Sequence, residues 1–566
     1  MRQSTKIWLL VGIMLLASFL RLYHITTVPP GLYPDEAMDG NNALEVIQTG
    51  HFQSFYVEDN GREGLYVNIL VFFIKALGNK PWVVRLPAAI AGIATVLGMY
   101  FLVAELFAAE NSKLQAPNSK QTQNSNGPNP KPVRFGIWKL GIGNYEVALL
   151  AAFLLATSFW HINFSRIGFR AILAPLCLTW ALYWFLKAVK GDRRQETGDR
   201  DTATSGKNQE TKKSLSPVPC SMFLAALAGI AFGAGFYTYI AYRVSPLLFL
   251  LFIPFFRKYP DFWKKTLLFV IVTIIVALPI GLYFLHNPAD FFGRTSEIAV
   301  TNSANPIGNF ALNLVKTALM FNIRGDGNWR HNVSGAPELW WPVGILFAIG
   351  ILYGIYALRQ SAKRKALVAT SNITHNDGRY ALSDLRFAIC LIFSWLLLAA
   401  LPAAASNDGI PHALRSILML PPAIMLAAIG GIWTYGWVSG IGYRVSGKRI
   451  ANLIAVIFVV AVACYAYYDY FVVWAGNPNV PGAFNADYVA IGNQMNALPQ
   501  ATQKYVVVNA GGVLARGIPV PAETVMFVTD SFTTSSQLAN HVTYLLPDQT
   551  NQIPVGTPSS TIFYVN

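Results

Sequence analysis

The chain has 566 residues, 54% of them hydrophobic and only 13% charged, with a mean hydropathy of +0.40. Several apolar runs approach the roughly 20 residues that cross a bilayer, which excludes an ordinary soluble globular protein. The formal charge of +15 would point to nucleic acid in a soluble chain, but no recognition module accompanies it, and nucleic acid is not an expected partner.

Apolar segments fall at about 5–23, 86–106, 145–163, 171–187, 221–239, 246–256, 266–286, 340–358, 386–404, 415–437 and 450–474. They predict an α-helical polytopic membrane protein with about eleven transmembrane helices. The first, behind Arg2 and Lys6, resembles a signal peptide. No small-residue cleavage site precedes Pro29, so it reads as a retained helix. With the N-terminus in the cytoplasm, the loops 107–144, 188–218, 257–265, 359–385 and 440–449 face inward and collect most of the Lys and Arg. Two stretches, 110–134 and 191–217, are rich in Gln, Asn, Ser, Thr and Gly and are expected to be disordered. Residues 64–78 are short for a span and contain Asn68 and Lys75. They read as an amphipathic or re-entrant helix at the outer interface, within a first outward loop over 24–85.

After residue 474 the pattern changes. A helix is predicted over Asn485–Leu498, and short strands over Tyr505–Asn509, Thr524–Thr529, Val542–Leu546 and Thr561–Val565. The expected division is a membrane domain over 1–474 and a small α/β domain over 475–566 on the extracytoplasmic face. The four cysteines, Cys177, Cys220, Cys390 and Cys464, lie in or beside apolar runs without metal-ligand spacing and read as core residues.

Chemistry is concentrated in the outward loops. Pro29–Glu63 carries Asp35 and Glu36 directly after Pro34, and Glu63 before residues 64–78. Asp35 at a helix start suits a general base or an N-cap, while Glu36 and Asp39 read as first-turn acids. Glu45, Glu58 and Asp59 read as solvated. Glu63 could ligate a divalent cation or pair with Arg62. Seven of the eight histidines (His24, His51, His161, His286, His331, His412 and His541) fall on the outer side. One metal or proton-transfer role is plausible among them, with His331 preferred because its loop, GDGNWRHNVSG, also carries Asp326, Trp329 and Arg330. Arg166, Arg170, Arg243 and Arg415 stand at outer ends of spans. Arginine on the side that topology disfavours suits a phosphate-bearing partner, or lipid headgroups. Tyr237, Tyr239 and Tyr242 fit a sugar-stacking surface or an interface belt. No Walker A or dinucleotide fingerprint is present.

PDE in the first outward loop, an acid before an amphipathic helix, VVRLPAAIAG (83–92), FSRIGF (164–169) and PHALRSILMLPP (411–422) together resemble the GT-C superfamily of membrane glycosyltransferases. The resemblance is narrower to the protein O-mannosyltransferase and lipid A aminoarabinose transferase group, and covers roughly residues 1–440. It implies a polyprenyl-phosphate sugar donor, a lipid, glycan or protein acceptor outside the cytoplasm, and inversion at the anomeric carbon. It implies Asp35, with Glu36 beside it, as the catalytic acids, and Glu63 near a metal. Arg243 and Arg415, with Arg166, would hold the donor phosphate, and Tyr239, Tyr242, Asp326 and Arg330 would line the substrate site. A divalent cation is the one cofactor in view, at Glu63 or His331. Where the aminoarabinose transferases have an acid followed by Lys-Pro, this chain has Glu63-Gly64, after Arg62. The rival reading is a transporter or flippase of lipid-linked precursors, which would call for midplane charges and internal repeats. The spans hold few charges, and no clear repeat is evident.

Overall fold

The structure, a computed structural model, describes residues 3–108, 144–191, 218–370, 376–441, 445–554 and 560–566. The stretches 110–134 and 191–217, expected to be disordered, lie outside these residues apart from Gly191.

The membrane part is a helical bundle, and the chain is an integral membrane protein. Among the described residues eight helices are long and apolar enough to cross a bilayer. They are α1 (Gln3–Leu22), α4 (Pro81–Leu106) and the segments within 170–191, 262–286, 341–362, 385–404, 417–440 and 447–474. A bent pair, α5 (Asn144–Thr157) and α6 (Phe159–Arg166), adds a ninth span if it crosses as one. The segments 220–235 and 240–256, expected as two further spans, form shorter apolar helices, the second broken by 3-10 turns. Residues Leu65–Leu77 form the short helix α3, whose 13 residues fall well below a bilayer's span.

The break between α5 and α6 bends the pair by 56° and frees carbonyls at the end of α5. Arg21, at the end of α1 and fully buried, takes them: its guanidinium donates to Ala156 O at 3.1 Å and Leu155 O at 3.4 Å. Its Nη2 also lies 2.6 Å from His161 Nδ1.

The loop between α1 and α4 folds into α2 (Pro34–Thr49) and a hairpin of β1 (Phe55–Tyr56) and β2 (Arg62–Glu63), before α3. Asp59, Asn60 and Gly61 turn the hairpin in left-handed conformations, which Asp, Asn and Gly adopt at the lowest steric cost. The pairing sets Phe55 opposite Glu63 and Tyr56 opposite Arg62.

The C-terminal region carries β3 (Gln503–Val508), the small hairpin β4 (Leu514–Ala515) and β5 (Ile518–Pro519), β6 (Val542–Leu545) and β7 (Ser560–Val565). Its main sheet has the order β6-β3-β7 with all strands parallel. The strand expected over Thr524–Thr529 is instead the helix Glu523–Val528. That run is buried on every side, so it carries no periodicity to separate strand from helix.

This region is fastened to the loop between α1 and α4. Met38 of α2 belongs to the C-terminal core, with Val506, Val525 and Met526. Thr524 Oγ1 donates to Leu32 O at 2.8 Å, and Asn79 Nδ2 to Phe527 O at 3.0 Å. Two glycines permit the approach: a Cβ on Gly31 would lie 2.3 Å from Phe484 O, and one on Gly40 would lie 2.5 Å from the Phe527 ring. Arg516, at the tip of the β4–β5 turn with φ 52°, reaches Glu45 at 2.7 Å and Glu58 at 2.9 Å. Both acids, expected to be solvated, are therefore paired across the chain, and Asp59 pairs Arg62 at 2.6 Å.

Asn41 Nδ2 donates to Glu523 Oε2 at 2.6 Å in the same seam, and burial pushes the Glu523 carboxyl up from 4.5 to about 8. Neutral Glu523 therefore contributes stability that is fully present below pH 4.5 and is lost as the pH rises to about 8. Glu523→Gln is expected to flatten that part of the pH dependence of thermal unfolding. Equal slopes in the two proteins would show that the carboxyl is ionised throughout.

Candidate active site

A cavity of about 310 Å³ opens where the loop between α1 and α4 meets the loops at 240–245, 287–298 and 402–415. Its lining mixes the apolar side chains Phe55, Phe291, Phe292, Ile298 and Leu414 with the charged and polar groups Glu63, Arg170, Arg243, Asp290, His412 and Arg415.

Glu63 is buried and organises the charged part of that lining. Its Oε2 accepts from Arg170 Nε at 3.0 Å, and its Oε1 lies 3.9 Å from Arg243 Nη2. Arg243 is held from behind by Phe291, whose carbonyl accepts from Nη1 at 2.9 Å and whose ring lies 4.1 Å from the guanidinium. Arg415 donates to Asp408 Oδ2 at 2.8 Å and to Ser406 Oγ. Three arginines thus line the space with two carboxylates, Glu63 and Asp290, and Arg415 is paired in turn with Asp408, a cluster of guanidinium groups suited to an anionic group. Glu63, expected near a metal, is instead the counter-ion of two arginines, and among the described residues it belongs to no cluster of three metal-ligating groups.

The arginine in FSRIGFR that reaches the cavity is Arg170, not Arg166. The latter is fully buried at the end of α6, where it donates to Leu20 O at 3.2 Å and Val28 O at 2.8 Å. It tethers α1 and the loop after it, away from any donor phosphate. Tyr239 lines the cavity beneath Arg170, 5.9 Å from its guanidinium. Tyr242 does not: it is wholly buried, against Gly235 and the rings of Phe232 and Phe236, so the expected substrate contact is a packing one.

Asp35 and Glu36, adjacent in sequence, face different surroundings. Glu36 is fully buried: Oε1 accepts from Arg85 Nε at 2.9 Å and Gly168 N at 2.6 Å, and Oε2 from Arg85 Nη2 at 3.1 Å and Tyr33 N at 3.0 Å. A carboxylate with four donors in a dry site is an anchor, so the expected catalytic role passes from it. Asp35 is half-buried on the first turn of α2. It is not on the cavity wall but is joined to it through Arg62, which donates to Asp35 O and Asp39 Oδ1, both at 3.0 Å, and stands between the wall residues Gly61 and Glu63. Arg330 stacks 3.7 Å from the Tyr33 ring centroid. Burial, then the Asp35 charge, push the Tyr33 phenol up, and Arg330 pulls it back. Asp35, Tyr33 and Arg330 therefore form a second polar surface beside the cavity.

Between the two surfaces sits a triad missed as a unit in the sequence. Asp326, expected on the substrate surface, is buried, and its Oδ2 lies 2.8 Å from His331 Nδ1 and 3.9 Å from His412 Nδ1. The ligand atoms of the three residues lie within 4.8 Å of one another. Burial alone would raise the Asp326 carboxyl, but the hydrogen bond to His331 and the charges of both imidazoles hold it below its ordinary value. Burial lowers His331, and lowers His412 well below the ordinary imidazole value. One carboxylate beside two imidazoles whose protonation burial disfavours is a donor set that fits a divalent cation. His331 was legible as a candidate, but Asp326 lies five residues away and His412 eighty-one, so no local spacing announces the group.

No family model and no curated protein matches the chain. Among solved structures it is similar to ArnT from Cupriavidus metallidurans bound to undecaprenyl phosphate, with 12% sequence identity and TM-score 0.52 over 99% of this chain and 93% of that one. It is also similar to the oligosaccharyltransferase AglB from Archaeoglobus fulgidus, solved with an inhibitory peptide and a dolichol-phosphate, with 13% identity and TM-score 0.50 over 96% of this chain and 70% of that one. The chain shares its fold with these two structures.

Proposed function

We propose that the protein is an inverting membrane glycosyltransferase that moves a sugar from a polyprenyl-phosphate donor to a hydroxyl of a lipid, glycan or protein acceptor. The observation that carries this reading is the cavity whose lining combines three arginines with aromatic and aliphatic side chains. A phosphate suits the arginines and a prenyl chain the apolar side chains.

The donor phosphate sits between Arg170, Arg243 and Arg415, with the anomeric carbon turned towards Asp35. The acceptor approaches along Tyr33 and Arg330. Its hydroxyl oxygen bonds to the anomeric carbon as the bond from that carbon to the phosphate oxygen breaks. The hydroxyl proton passes to Asp35, and the prenyl phosphate leaves with the bonding electron pair. The arginines meet the negative charge that grows on the leaving phosphate, where electrostatic help lowers the barrier. Glu63 fixes Arg170 and Arg243 in advance, so little reorganisation is needed at the moment of reaction. By the distribution of Lys and Arg, the N-terminus is cytoplasmic. The active site and a small domain over 475–566 face outside.

The test is transfer by purified protein in detergent, using radiolabelled polyprenyl-phosphate sugars and crude envelope acceptors. Transfer from at least one donor is expected, and it identifies the sugar. A folded protein that transfers from none overturns the reading and directs attention to lipid flipping.

A further inference from the structure

We propose that Arg516, in the C-terminal region, is a positioning residue for the arginine-lined cavity: it clamps the β1–β2 hairpin to α2 by pairing two carboxylates that otherwise repel. Its Nη2 donates to Glu45 Oε2 on α2 at 2.7 Å and to Glu58 Oε1 on the hairpin at 2.9 Å. Both acids meet one nitrogen, so no more than two hydrogen-bond lengths separate them. Among the described residues neither has another cation within ion-pair distance. The guanidinium is set in place by the turn that carries it and by Phe532, whose ring centroid lies 4.2 Å away. Removing this charge does more than delete two hydrogen bonds. It leaves two carboxylates side by side, and their repulsion pushes the hairpin tip away from α2.

The hairpin is a short path from that cluster to the cavity. Glu58 opens the turn, and Asn60 and Gly61, just after it, line the cavity. At the end of β2, Glu63 holds Arg170 at 3.0 Å and stands 3.9 Å from Arg243. The same turn is fixed from within by Arg62, which pairs Asp59 at 2.6 Å and Asp39 on α2 at 3.0 Å. Arg62 and Asp39 are buried, so salt hardly reaches that contact. The clamp at Arg516 is different: the side chains of Arg516, Glu45 and Glu58 are 40%, 26% and 16% exposed. It is the solvent-reached contact of the two, and ionic strength tunes it. A residue of the C-terminal region thereby governs how firmly one edge of the cavity is held. The clamp stands on these contacts alone, while its effect on donor affinity rests on the transferase reading.

The test uses full-length protein in detergent and two readouts, binding of polyprenyl phosphate and amide hydrogen exchange over residues 55–63. Arg516→Ala is expected to weaken binding by about fivefold at low salt and to speed exchange in the hairpin. Both losses should shrink at high salt, where the carboxylates repel less. Adding Glu58→Gln to Arg516→Ala should restore both readouts, since one carboxylate no longer faces the other. A role confined to packing on Phe532 gives no such rescue. Arg516→Ala with wild-type binding and unchanged hairpin exchange, or a double variant no better than the single one, overturns the clamp. If Arg516→Ala does not fold, the wild type decides: hairpin exchange that rises with salt upholds the clamp, and exchange indifferent to salt overturns it. A wild type that binds no polyprenyl phosphate removes the transferase reading, and hydrogen exchange alone then decides the clamp.

Discussion

Asp35→Asn is expected to lower sugar transfer by about 10²–10⁴-fold, the usual contribution of a positioned general base, with the unfolding temperature unchanged. The side chain is half-buried at the start of α2, and it is the backbone oxygen of this residue that accepts from Arg62 Nη1. Asparagine keeps the shape and the helix-start preference while removing the proton acceptor. The measurement is transfer rate beside a thermal unfolding curve. Near-normal transfer by the folded variant would take the base role from Asp35. His412, a wall residue of the cavity, would be the next group to test.

Glu36→Ala, one residue away, is expected to act wholly through stability, at a cost of about 3–5 kcal/mol, because it strands the fully buried Arg85 without its counter-ion. Arg85 also donates to Pro29 O at 2.6 Å and Gly31 O at 2.8 Å. The pair therefore joins α4 to the strand of chain that delivers α2, while Gly168 ties in the end of α6. The variant should accumulate poorly and unfold well below the wild type in a detergent melting series. A variant as stable as the wild type but inactive would return Glu36 to the catalytic group. The opposite outcomes expected at two neighbouring acids separate chemistry from scaffolding.

Much of this was legible in the sequence, and the remainder was hidden for definite reasons. Hydropathy located the apolar helices, and the short polar-interrupted run at 64–78 pointed to α3. The crowding of acids in 29–63 and of arginines at span ends pointed to loops that line the cavity, since both residue types are costly at a membrane surface without a partner. What sequence could not supply was direction. Arg166 and Arg170 stand four apart, and only the end of α6 and the 3-10 turn after it decide that one faces the interior and the other the cavity. The same holds for Tyr239 and Tyr242. Pairings distant along the chain were equally invisible: Glu45 and Glu58 look solvated until Arg516 is placed, and Asp326 looks exposed until His412 is. The hairpin at 55–63 was a missed opportunity, because Asp59-Asn60-Gly61 after the apolar Phe55-Tyr56-Val57 is a turn signal that fixes where Glu63 points.

The reach of Arg516 to Glu45 spans 471 residues of chain. At a synthesis rate of about 5–20 residues per second, the acidic loop exists for roughly 25–95 seconds before its last cation is made. During that interval Glu45 and Glu58 lack their partner, and the seam around Gly31 and Gly40 has nothing packed against it. The loop bearing Asp35 is thus made first and finished last. A chain that ends before the β4–β5 hairpin therefore leaves Glu45 and Glu58 without the cation that pairs them.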